Sequence, residues 1–194
     1  MIYGKFVDAE GILASQLRFL SRAVSDDEIR YFMQEIHIEP SDKGEGLLLG
    51  VATDGRHLHL VDPLSKAATE VYGMTPGYWR SLRTFKNSER IWVAQLGEKE
   101  TAGWVFPNWK RVIPDGKGVK HRTTFNGISL KSGEGSTEIA TFFHDFPDAT
   151  ALNFRFLKAL GTGSVWDVEW NGPQKAIKFI DGDRMAIITT LTID

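Results

Sequence analysis

Apolar positions recur along residues 11–25 with a helical period. Leu13, Leu17, Leu20 and Val24 fall at i, i+4, i+7 and i+11, on one helical face. Arg18 and Arg22 stand four apart, nearly opposite that face. Ser25-Asp26-Asp27 breaks the pattern and, with Glu28, reads as a solvated helix end. The period then changes to two. Ile29, Tyr31 and Met33 alternate, and Ile36 and Ile38 continue after a phase change, so residues 29–39 are expected to form a strand with a bulge. Pro40 to Gly46 is a turn cluster. Leu47–Thr53 and Arg56–Asp62 read as two strands joined by a tight hairpin turn at Asp54-Gly55. On the second of these strands Leu58, Leu60 and Asp62 share one side, and His57, His59 and Val61 the other.

A second helix is expected from Thr75-Pro76, because Thr caps well and Pro suits the first helical position. Tyr78, Leu82 and Phe85 form its apolar stripe, Arg80, Arg83 and Lys86 lie off it, and Asn87 can stop it. Residues 90–96 and 101–106 read as a hairpin. Phe106 to Pro114 follows, bounded by prolines, and Asp115-Gly116-Lys117-Gly118 is the best linker. Strands are expected near 122–131 and 137–144, joined by a turn at Gly133 to Ser136. A third helix over 149–160 puts Leu152, Phe156 and Leu160 on one face and ends at Gly161. Strands over 165–170, 175–180 and 184–193 complete the chain. The second half reads as the first half without its opening helix, although no residue-level repeat links them. Sheets and helices are segregated, which points to an α+β fold in two modules, 1–114 and 115–194.

The 194 residues suffice for one large domain or two modules of about 95–100 residues. With 12 Phe, 6 Trp and 4 Tyr, core material is ample and general disorder is excluded. There is no cysteine, which excludes a disulfide scaffold, a Cys-ligated zinc site and a thiol nucleophile, and fits a reducing compartment. The net charge of −2 means that any nucleic-acid contact must come from a local basic face. No apolar run reaches the ~18–20 residues of a membrane span, and the first residues lack signal-peptide character, so a cytoplasmic protein is expected.

Candidate chemistry is sparse. His57 and His59 share a strand face at metal-ligand spacing, but no carboxylate cluster accompanies them, and two polar strand residues are the simpler reading. Asp181-Gly182-Asp183 lacks the other ligands of a calcium loop and reads as a turn. Nothing combines a nucleophile with a base and an orienting group. The chain is therefore expected to be no enzyme and to need no cofactor or metal. Trp92, Trp166 and Trp170 fall in strands and suit the core. Trp79 precedes Arg80 and suits either core packing or stacking on bases; Trp104 and Trp109 are left open.

Two segments carry a family resemblance. One is Val51 to Leu58, reading Val-Ala-Thr-Asp-Gly-Arg-His-Leu and preceded by Arg30-Tyr31-Phe32-Met33. The other is Phe106-Pro107-Asn108-Trp109-Lys110-Arg111-Val112-Ile113-Pro114. In order and spacing they resemble the bacterial DNA polymerase III β subunit, the sliding clamp. Residues 152–193 resemble the end of that protein's last domain. The resemblance implies a clamp-like α+β fold with antiparallel sheets carrying helices on one face. It also implies a non-catalytic role: encircling or associating with duplex DNA without reading sequence, and tethering replication or repair proteins.

A partner-peptide pocket carried over by position would use Met33, Thr53, Gly55, Arg56, His57 and Leu58, with Pro107, Arg111 and Val112, and with Ile187, Thr189, Thr190 and Leu191. Leu58 and Val112 fit core packing equally well. Arg56-His57 reverses the family's order, and Thr189-Thr190-Leu191 replaces its methionine-rich ending with a more polar one. Clamp helices line the hole, so Arg18, Arg22, Arg80, Arg83, Lys86, Arg155 and Lys158 become the expected phosphate contacts, although exposed helix faces carry such residues for solubility too. A bacterial clamp protomer has three domains and closes a six-domain ring as a dimer; two modules imply a homotrimer for the same ring. The other readings are a clamp-fold protein-interaction module without DNA binding, and a metal or small-molecule site at His57 and His59.

Overall fold

A computed structural model describes residues 2–6, 12–66, 68–74, 86, 88, 90–91, 106–117, 121–126, 152–161, 163–172 and 175–190. The expected strand over 137–144 and nearly all of the expected helix after Thr75 lie outside these, as do Trp79, Trp92 and Trp104. The chain divides into two compact units, Met1–Asn108 and Trp109–Asp194.

In the first unit, β1 (Ile2–Phe6) pairs antiparallel with β6 (Ala68–Met74), and β2 (Ile12–Leu13) with β7 (Arg90–Ile91). The hydrophobic pattern does not predict the β1–β6 pair. β3 (His37–Pro40), β4 (Leu47–Thr53) and β5 (His57–Lys66) lie side by side in that order, all antiparallel. The β4–β5 hairpin forms as expected, with a register irregularity between Leu48 and Gly50. β5 runs four residues past Asp62, to Lys66. Its alternation does not translate into one wet face, because residues 57–61 are all buried.

Helix α1 (Ala14–Ser21) is shorter than its periodic pattern, since Ile12–Leu13 is spent on β2. It packs on β4 and β5 with Leu17 and Leu20 fully buried. Gly50 permits that approach: a Cβ there would lie 2.7 Å from Leu20 Cδ1. Ser25 and Asp27 do not merely end α1. Asp27 Oδ1 accepts the Ile29 N–H at 3.0 Å, and the Asp27 carbonyl accepts the Arg30 N–H at 3.0 Å. They start a 3-10 helix, Glu28–Met33, where the alternation predicts a strand. A kink at Arg30 (φ −98°, ψ 43°) interrupts its regular dihedrals. This side-chain capping satisfies backbone donors that a strand would have had to pair elsewhere.

In the second unit, β8 (His121–Asn126), β9 (Val165–Trp170), β10 (Ile177–Asp181) and β11 (Arg184–Ile188) are joined antiparallel in the order β11-β10-β9-β8. β11 ends earlier than its expected limit of 193. Alternate residues of β9, Trp166, Val168 and Trp170, are almost fully buried, as the tryptophan pattern predicts. They join Phe125 and Phe179, whose rings meet edge to face at 5.9 Å. Helix α2 (Phe154–Ala159) starts on an Asn153 cap, whose side chain accepts the Arg155 N–H at 3.0 Å. Leu152, Phe156 and Leu160 are buried as one stripe. Asp181 to Arg184 is a plain turn, the Arg184 guanidinium closing it on the Asp181 carboxylate. Among the described residues no helix is long and apolar enough to cross a membrane.

Candidate functional site

The first group of sequence-selected residues converges on the β4–β5 turn. Thr53 is the last residue of β4, and its hydroxyl donates to the His57 carbonyl at 2.7 Å while accepting the Gly55 N–H at 3.0 Å. Asp54 Oδ1 accepts the Arg56 N–H at 2.8 Å, the His57 N–H at 2.9 Å and the His57 ring at Nδ1, 2.9 Å. Asp is thus needed here for its side chain as much as for its tolerance of turns. Burial alone would raise the Asp54 carboxyl, but the bonds from the His57 ring and backbone, the His57 charge and the Arg56 N–H outweigh it. The balance is a pKa lowered to about 2.

Gly55 takes φ +87°, and a Cβ there would meet Arg30 Nη1 at 2.9 Å. Arg30 itself donates from Nη1 to the Asp54 carbonyl at 2.8 Å and pairs with Asp27 at 3.5 Å. Met33 stands beside the same glycine, its Sδ at 3.7 Å from that position. The 3-10 helix therefore braces the turn from outside. Sequence reasoning does not select Arg30 for the site. The Arg30-Tyr31 pair preceding the Thr-Asp-Gly segment is the available signal, and in the sequence it marks only the family resemblance.

His57 and His59 share a buried face. His57 Nε2 lies 3.2 Å from the Arg22 carbonyl, at the C-cap of α1. His59 Nδ1 donates to the Phe19 carbonyl at 2.7 Å, and its ring stacks on that of Phe19 at 4.1 Å. The two imidazoles meet edge to face at 5.3 Å. Burial, then the charge of His57, holds the His59 pKa down at about 3, against the bond to the Phe19 carbonyl, which raises it. His59 is thus a neutral ring at neutral pH. Both histidines meet carbonyls at the C-terminal end of α1, Phe19 within it and Arg22 at its cap, and among the described residues no group of three metal-ligating side chains assembles. The histidine spacing serves helix docking.

The remaining positions lie on several elements of the two units. Arg56 is exposed at the tip of the turn, and Leu58 is buried at 2% exposure. Pro107 is half-buried near the end of the first unit, after Phe106, whose ring stacks on His37 at 4.8 Å. Arg111 and Val112 lie on a 3-10 helix, Trp109–Val112, in the second unit. Val112 is 51% exposed, which removes the core-packing reading for it. Ile187 is buried in β11 at 1% exposure; Thr189 is exposed and Thr190 half-buried just beyond, and Leu191 lies outside the described residues.

Of the basic positions, Arg18 is half-buried on α1, and its Nε donates back to the Ala14 carbonyl at 3.3 Å. Arg22 is exposed at the helix C-cap. Arg155 and Lys158 are exposed on α2, and Lys86 is exposed. Arg80 and Arg83 lie outside the described residues.

No protein-family model and no curated protein matches the sequence. Solved structures do match. The Caulobacter crescentus polymerase III β protein aligns with a TM-score of 0.61 at 16% identity, covering 97% of this chain and 66% of its own. The polymerase β subunit of Streptococcus pyogenes gives 0.62 at 12% identity, over 97% and 67%. DNA polymerase III subunit β from Borrelia burgdorferi, solved with a natural product, gives 0.63 at 9% identity, over 97% and 65%. The chain spans about two thirds of the length of the clamps it matches. An antiparallel, sheet-dominated architecture with a helix packed on one face accounts for the match, and the fold of this chain is that of the bacterial DNA polymerase III β sliding clamps.

Proposed function

We propose that this protein is a non-catalytic, clamp-like factor that associates with duplex DNA through its backbone and tethers replication or repair proteins. The observation that carries this reading is the clamp fold extending over 97% of the chain. Exposed Arg22, Arg155 and Lys158 and half-buried Arg18 supply cations on helices, the element type on which a clamp would carry phosphate contacts. Arg80, Arg83 and Lys86 complete the proposed set. A braced turn presenting Arg56, with Met33 beside it, is the proposed partner-peptide site of the first unit, to which Pro107 also belongs by sequence; Arg111, Val112, Thr189 and Thr190 are separate proposed partner contacts of the second unit. The two units, read as two clamp modules, would close a six-module ring as a homotrimer.

Light scattering over a range of protein concentrations, followed by binding to circular and linear duplex DNA, tests the reading. A trimer retained on circles and released from free ends supports a closed ring. Replacing Arg18 and Arg22 by Gln should weaken binding for all sequences alike and lower the salt slope by about 0.9 for each phosphate no longer neutralised. A monomer without DNA affinity refutes the DNA role and leaves a clamp-fold protein-interaction module.

A further inference from the structure

The C-terminal end of α1 is attached to β5 by an unusual pair of bonds. Helix ends leave carbonyls without intrahelical donors, and these must be satisfied from elsewhere. Here the Phe19 carbonyl, which also takes the Arg22 N–H at 3.3 Å, faces the ring of His59, and the Arg22 carbonyl faces the ring of His57, two residues earlier on the same strand. His59 has no exposed surface, and its Nε2 is buried with no hydrogen-bond partner among the described residues, while its Nδ1–H is committed to Phe19. A second proton has only Nε2 to go to. It would arrive in an apolar enclosure formed in part by the Phe19 ring.

We propose that the His57–His59 pair is an acid-releasable latch: protonation of His59 frees the end of α1 from β5 while the second unit keeps its structure. The groups facing the latch make release the available response. From β5 itself the neighbour is His57, edge to face at 5.3 Å. The turn contributes the Asp54 carboxylate, bonded to His57 Nδ1 rather than to His59. From α1 comes the Arg22 cation, which opposes a charge on His59, and from the 3-10 helix Arg30, engaged with the Asp54 carbonyl. β4 and β2 carry no ionisable side chain. Among the described residues no acceptor stands within reach of Nε2, so the proton is accommodated by opening.

The size of the effect follows from linkage. Once released, His59 regains its ordinary affinity for protons near 6.5, against about 3 in the closed form. Between pH 7 and pH 5 the open population should therefore rise about 25-fold, since each pH unit below 6.5 multiplies the protonated open form about tenfold. Because α1 carries Arg18 and is capped by Arg22, release would also disorder one of the proposed phosphate-binding stretches; the latch itself does not depend on that reading.

Amide hydrogen exchange on the full chain, corrected for intrinsic rates, tests the latch. Protection at Arg22 and Ala23 should fall about 25-fold from pH 7 to pH 5, with β9 and β10 unchanged. His59→Phe retains an aromatic ring against Phe19 and should abolish the pH dependence. Equal loss of protection in both units, or an undiminished pH dependence in His59→Phe, overturns the proposal. Should that variant fail to fold, the ring nitrogens of the unaltered protein decide by NMR: His59 must remain neutral at pH 5, and titration near 6.5 in the closed form overturns it.

Discussion

Replacing Asp54 by Asn separates the charge of the β4–β5 turn from its shape. Asn keeps an oxygen where Oδ1 accepts the Arg56 and His57 N–H groups and the His57 ring, but cannot ionise. The Asp54 pKa falls from 3.8 to about 2 despite burial, and its side chain is only 23% exposed. A folded-state value below the unfolded one means that the stabilisation is fully present above pH 3.8 and is lost as pH falls through 2. At about 1.36 kcal/mol per pH unit, the carboxylate contributes about 2.4 kcal/mol near neutrality. Urea unfolding of both proteins at pH values from 7 down to 2 reads this directly. Asp54→Asn should be less stable by about 2.4 kcal/mol at pH 7, and the gap should close across pH 4 to 2. A gap that stays constant over the whole range would refute the carboxylate as its source.

Three further substitutions probe other joints. Gly55→Ala forces a Cβ to 2.9 Å from Arg30 Nη1 at φ +87° and should cost about 1–3 kcal/mol by denaturant titration, whereas Arg30→Lys should cost less because it leaves the glycine unstrained. Asn153→Ala removes the cap of α2 and should cost about 1 kcal/mol, read as a lowered Tm. Trp170→Ala opens a cavity at a residue 1% exposed and should cost about 3–5 kcal/mol, which urea unfolding would show as a lowered midpoint.

Hairpins and helix caps are legible in the sequence because their signals are local. Thr53-Asp54-Gly55 specifies its own turn through side-chain bonds reaching no farther than His57. Asn153 likewise specifies the start of α2 and Gly161, at φ +90°, its end. Residues 28–33 mislead because two local codes compete. Their alternation is that of a strand, but Ser25 and Asp27 offer bonds that start a 3-10 helix, and the alternation has no ladder to join. The role of the histidines is hidden for a different reason. Period two places His57 and His59 on one face, yet β5 is buried on both, so the pattern cannot say which side meets a helix or which carbonyls wait there. The partners, Phe19 and Arg22, are 40 and 35 residues away. Arg30 reaches Asp54 across 24. What the site is made of is therefore local and readable, whereas what holds it in place is long-range and becomes visible only in the fold.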